Sequence, residues 1–156
     1  MKRSAKCSIA IHSLLVIALF GEETKVTSDL IARSTGSNAV TIRNIFHGLR
    51  EQGIITVKRG TGGTLLNRPP SEITLWEIYT AVEPEEAQSL IGRHPAPYEQ
   101  CPVGKHIYEL LAVPYQRVGT AVHQELEQYT LEMLLNHYKE LNPQGYALPT
   151  ERKTHD

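Results

Sequence analysis

The sequence is poor in cysteine, in tryptophan and in long apolar runs. Its two cysteines, Cys7 and Cys101, exclude a disulfide framework and any four-thiolate metal site within one chain. The longest apolar run, Ile9 to Phe20, covers 12 residues and is broken by His12 and Ser13, whereas a bilayer span needs about 20. Lys2, Arg3 and Lys6 precede that run as they would in a signal peptide, but no small-residue cleavage site follows. The run is therefore expected to be a buried helix of a cytoplasmic protein with no membrane partner. Neither GxxxxGK[ST] nor GxGxxG occurs, so no phosphate-loop or dinucleotide signature is present. No nucleophile–base pair, metal-ligand spacing or paired-carboxylate motif appears, and an enzyme is not expected.

Charge is nearly balanced over the chain but not along it. Residues 1–68 carry ten Lys/Arg against four acids, a net +6, and residues 69–156 carry six against 13, a net −7. A basic half beside an acidic half suits a nucleic-acid-binding module joined to a partner or sensor module. Chance placement of solvated charges would look the same, so other features must decide. With 156 residues and 40% hydrophobic composition, the chain can bury one ordinary core with appendages.

Apolar spacing predicts a mainly α fold with a small β-hairpin wing. The first helix is expected over about Ala5 to Phe20, stopped by Gly21. The second starts at a cap in Val26-Thr27-Ser28-Asp29. The polar turn Ser34-Thr35-Gly36-Ser37 leads to a third helix, about Asn38 to Gln52. There Ile42, Ile45, Phe46 and Leu49 form one apolar stripe, and Gly53 ends it. Ile54–Val57 and Thr64–Leu66 then read as strands around the turn Arg59-Gly60-Thr61-Gly62-Gly63. Helix, helix, short turn, helix, hairpin is the order of a winged helix-turn-helix. Pro69-Pro70 closes the unit, and Thr74 to Val82 reads as one more short helix.

The expected division is a winged helix-turn-helix DNA-binding domain at 1–83, a proline-rich connector at 84–102, dimerisation helices at 103–142 and a loose tail at 143–156. Pro114 and Gly119 are expected to break the helical region. A long C-terminal dimerisation helix is expected from Thr120 to Leu141, with Val122, Leu126, Tyr129 and Met133 as a heptad-like seam. Leu131, Leu134 and Tyr138 form a second stripe. Two faces would serve the domain and a second copy of the chain; a single wide core face is the alternative.

The third helix presents Asn38, Val40, Thr41, Arg43 and Asn44 near its start. Asn can pair with adenine, Arg with guanine, and Thr or Val can touch a thymine methyl in the major groove of double-stranded DNA. The polar face of an ordinary helix is the competing reading. The hairpin favours DNA: Lys58 and Arg59, followed by Gly60, Gly62 and Gly63, place a basic tip where backbone can approach a minor groove. Lys6 adds a cation beside the first helix.

With these residues the likeness to a known family becomes specific. Leu30-Ile31-Ala32, Leu49-Arg50-Glu51-Gln52-Gly53-Ile54-Ile55, the wing Arg59–Gly63 and Ile73-Thr74-Leu75-Trp76-Glu77-Ile78 resemble the Rrf-two (BadM-like) family of bacterial regulators. The resemblance implies a dimer crossed by long C-terminal helices, a recognition helix at Asn38–Asn44 and a minor-groove arginine at Arg59. Cluster-binding members carry three cysteines between the hairpin helix and the long helix. Here that region holds Cys101, with His94 and His106 nearby, and an iron–sulfur cluster needs mostly thiolates. No cofactor is expected, nor a metal. Cys101 precedes Pro102 and could cap a helix, where a thiol can act as a redox sensor; a small half-buried hydrophobe is the other reading. The expected function is a sequence-specific transcriptional regulator, a repressor acting as a homodimer, with a small-molecule or redox effector. A winged-helix protein-interaction module without DNA is the alternative.

Overall fold

The first helix, α1 (Lys6–Phe20), is so apolar that Ala10, Ser13, Leu14, Val16 and Ile17 are all buried in it. The one hydroxyl there is satisfied, because Ser13 donates to the Ile9 carbonyl at 2.7 Å. The structure, a computed structural model, describes residues 4–60, 62–84 and 89–145. Helix α2 (Ser28–Thr35) starts at Thr27, whose hydroxyl accepts the Leu30 N–H, and ends at Gly36 with φ 67°. That left-handed residue lets the chain turn tightly into the next helix.

Helix α3 (Ala39–Glu51) buries the predicted stripe of Ile42, Ile45, Phe46 and Leu49. Strands β1 (Ile55–Lys58) and β2 (Gly63–Leu66) pair antiparallel, Ile55 opposite Leu66 and Lys58 opposite Gly63. A 3-10 turn at Pro70–Glu72 leads to α4 (Leu75–Val82). A capping box starts α4: Thr74 accepts the Glu77 N–H while Glu77 accepts the Thr74 N–H. Arg68 then pairs with Glu77 at 2.9 Å, tying the base of the hairpin to α4. The elements follow the predicted winged helix-turn-helix order.

The C-terminal third departs from expectation. Helix α5 (Ile107–Glu127) runs unbroken through Pro114 and Gly119. Pro114 removes only the bond to the Leu110 carbonyl, on an exposed face, and seven residues before it and 13 after it are helical. The long helix stops instead at Gln128–Thr130. Leu75 donates to the Tyr129 carbonyl and Leu131 to the Ile73 carbonyl, both at 2.9 Å, so Thr130 pairs with Thr74 as an isolated β-bridge. Backbone held extended by that bridge cannot continue the helix. Thr130 then caps α6 (Leu131–Leu141).

Leu131 and Leu135 of α6 enter the same core as Leu14, Ile31, Ile42 and Ile78. The last helix therefore packs one face into the body of the molecule. Residues 85–88 of the expected connector and 146–156 of the expected tail lie outside the described residues.

Candidate nucleic-acid interface

The turn at Gly36 and the cap at Asn38 set the start of α3, and the hairpin stands beside its outer face. Two contacts fix the hairpin to the body. Thr64 donates to the Val26 carbonyl at 3.0 Å, and the Lys25 ammonium donates to the Gly60 carbonyl at 2.7 Å. Gly60 has φ 79° and Gly63 φ 67°, which a side chain would strain. Thr61, between them, lies outside the described residues.

Between α3 and the hairpin runs a groove of about 580 Å³ whose walls include Lys25, Arg43, His47, Arg50, Lys58 and Arg59, with no Asp or Glu among the described residues. Asp29 approaches Arg43 at 4.0 Å with both side chains exposed, a pairing worth little in water. Five cations around one groove produce the positive potential that phosphates seek.

The structure sorts the predicted site residues into three groups. Arg43, Lys58, Arg59 and Gly60 meet in this groove. Lys6, Thr41 and Asn44 meet around a smaller hollow of about 190 Å³ at the other side of α3. Val40 joins neither but is 61% exposed, free to face a ligand. Asn38 caps α3: its side-chain Oδ1 accepts the Thr41 N–H at 2.8 Å, which leaves its amide N–H groups to give. Lys25, His47 and Arg50 were not foreseen. His47 and Arg50 follow Arg43 at i+4 and i+7, a spacing that puts them on one helix face; Lys25 left no signal, because its role depends on where the hairpin folds.

The expected dimer seam is also corrected. Val122 and Leu126 are half-buried on α5, Tyr129 lies in the break, and Met133 and Leu134 are on α6. Four of these were read as one helix seam with Tyr129 in it, and the Thr74–Thr130 bridge divides that seam. Exposed apolar residues on α5 are Leu110 (62%), Val113 (63%) and Val118. Leu110 and Val113 lie on the side of α5 away from Val122 and Leu126, whereas Val118, four residues before Val122, shares their stripe by the helical period.

Cys101 does not cap an α-helix. It begins a turn whose Gly104 N–H donates to its sulfur at 3.3 Å, and α5 starts six residues later, with His106 as its N-cap residue. The Cys7 thiol is pushed above its usual value by burial, and further by the charge of Glu83. The donor set does not fit an iron–sulfur cluster: Cys7 is in α1, Cys101 is alone in its segment, and His94 and His106 are not thiolates. Among the described residues no group of three or more His, Cys, Asp or Glu is placed to hold a metal ion, and no helix is long and apolar enough to cross a membrane.

A recognition helix behind a tight turn, a basic hairpin beside it and a cationic groove between them define a winged helix-turn-helix DNA-binding protein. The chain belongs to the Rrf2 family, described as iron-dependent transcriptional regulators, which it matches over residues 3–137. It is 33% identical over 134 residues to YwnA of Bacillus subtilis (strain 168), a candidate HTH-type transcriptional regulator, covering 86% of this chain and 97% of that one. It is 28% identical over 147 residues to the HTH-type transcriptional regulator IscR of Photorhabdus laumondii, covering 93% and 85%. The crystal structure of a candidate DNA-binding protein superposes with a TM-score of 0.68 at 31% identity, covering 84% of this chain and 99% of that one.

Proposed function

We infer that this regulator binds a near-palindromic operator in duplex DNA as a homodimer and represses by occupying it, in the cytoplasm and without an iron–sulfur cluster. The observation that carries the reading is the acid-free cationic groove between α3 and the hairpin. A protein-interaction module has no need of five cations there. In this reading α3 enters the major groove with Val40, Thr41, Arg43 and Asn44 toward base edges, while Arg59 enters the adjacent minor groove. Two copies joined through Leu110 and Val113 of α5 would present two recognition helices, and a two-fold pair reads a two-fold site. The acidic half would take the effector, and Cys101 is the proposed redox input.

Selection of bound fragments from genomic DNA, followed by binding to the recovered site over a salt series, tests this. A recurrent near-palindrome with steeply salt-dependent affinity is expected. Fragments without a shared motif, or salt-insensitive binding, would refute it.

A further inference from the structure

On the acidic side of the molecule, α4, α5 and residues 89–93 enclose a hollow of about 360 Å³. That is the low end of the size range of small-molecule sites, enough for a ligand with one ring or two. Its chemistry differs from its surroundings. Residues 69–156 carry a net −7, yet among the described residues no Asp or Glu lines the hollow and Arg93 does. The wall is aromatic: the Trp76 indole stacks on the His123 imidazole, centroids 4.2 Å apart and 24° from parallel, with Tyr115 nearby. His123 Nε2 is 3.5 Å from Glu127 on the next turn, a contact that orients the ring. At the rim Tyr108 donates to the His94 carbonyl at 2.7 Å and carries the Arg93 guanidinium 5.7 Å from its ring centre.

Gly119 is a second, independent observation. It lies inside the 21-residue helix α5 and lines the hollow. Glycine in a helix interior costs about 1 kcal/mol relative to alanine. No left-handed φ requires it here, and a Cβ would meet nothing within 4 Å. Neither backbone nor packing explains the glycine; what it preserves is open volume.

We propose that this hollow binds a small aromatic carboxylate, its ring against Trp76 and its carboxylate on Arg93, and that this ligand is the signal the regulator reads. The ring finds a π surface, and the acid finds a guanidinium with no competing carboxylate among the described lining residues. The regulatory half rests on the DNA-binding reading. Helix α4 links the two sites: Trp76 is near its start, and near its end the Ala81 carbonyl lies against α3 at Gly48 so closely that no Cβ fits between. A ligand that displaces Trp76 moves α4, and α3 must follow, because close-packed contacts do not stretch.

Trp76 is the single tryptophan of the chain, so its fluorescence reports on the hollow. The full chain, without DNA, is titrated with benzoate, phenylacetate and para-hydroxybenzoate, with benzamide and cyclohexanecarboxylate as neutral and non-aromatic controls. At least one of the acids should give a saturable change with Kd below about 1 mM. Binding should be at least about tenfold weaker for both controls and in Arg93→Gln, and lost in Gly119→Leu at unchanged helix content. No saturable change with any of the acids overturns the proposal, as does an equal response from the controls or from Arg93→Gln. The titration is repeated with operator DNA present. An acid that binds but leaves operator affinity unchanged overturns the regulatory half. Failure to bind DNA in the absence of any acid refutes the DNA reading and leaves the fluorescence result standing.

Discussion

Lys25 holds the hairpin tip: its ammonium donates to the Gly60 carbonyl across 35 residues of sequence, at 2.7 Å. An isolated two-stranded hairpin is marginal in water, so this bond and the Thr64–Val26 bond keep the wing at a fixed angle to α3. Lys25→Met removes the tie and one cation of the groove. Operator affinity should fall several-fold, about 1 kcal/mol for an exposed charged hydrogen bond, with the melting temperature nearly unchanged. Equal affinity in a direct binding titration would remove Lys25 from the interface.

Arg59 is exposed at the tip and packs against no core residue. Arg59→Ala is expected to leave stability intact and weaken operator binding strongly. The slope of log affinity against log salt should become shallower by about one unit if the arginine neutralises one phosphate. A variant with wild-type affinity would show that the hairpin does not touch DNA.

Gly48 has no room for a side chain, because a Cβ would meet the Ala81 carbonyl of α4. Gly48→Ala should force α3 and α4 apart and destabilise the fold by about 1–3 kcal/mol, the usual cost of overpacking. Urea unfolding measures it. Stability within error of wild type would mean that the two helices separate easily.

The dimer face is expected on α5 at Leu110 and Val113. Val113→Asp should yield a folded monomer by light scattering and circular dichroism, with operator affinity greatly reduced. Val122→Asp, on the inward face, should lower stability first. A Val113→Asp dimer of unchanged affinity would place the interface elsewhere.

Oxidation by peroxide turns a thiol into a sulfenic acid with release of water. At Cys101 this would replace the sulfur that accepts the Gly104 N–H and disturb the turn leading to α5. Operator affinity should change on oxidation of the wild type and not of Cys101→Ser. Cys7, its thiol pushed up by burial and by Glu83, should stay reduced, since the thiolate is the reactive form. Unchanged affinity with Cys101 shown by mass spectrometry to be oxidised would remove it as an input.

The winged helix-turn-helix was legible because its signals are local: the stripe Ile42–Leu49, the caps at Thr27 and Thr74, and Gly36 and Gly60 where φ turns positive. Half of the groove, Arg43 with Lys58 and Arg59, was legible for the same reason. Lys25 was not, since nothing local says that residue 25 reaches residue 60. The dimer seam failed similarly. Val122, Leu126, Tyr129 and Met133 have the right period, but Tyr129 and Leu131 are taken by backbone bonds to Leu75 and Ile73, a long-range competitor that periodicity cannot contain. Asn38 shows a subtler limit, for a residue type suited to adenine is equally suited to an N-cap.

The pairing of Thr74 with Thr130 also sets an order of assembly. Leu131 and Leu135 fill a core otherwise built from residues 10–82, so a chain emerging from the ribosome cannot complete that core until α5 has already been made. The apolar outer face of α5 is thus available to a second copy before the DNA-reading body has closed. In the proposed homodimer, pairing of two chains and maturation of their recognition helices can therefore overlap in time, and a fault in α6 would be felt as a loss of DNA binding by dimers already formed.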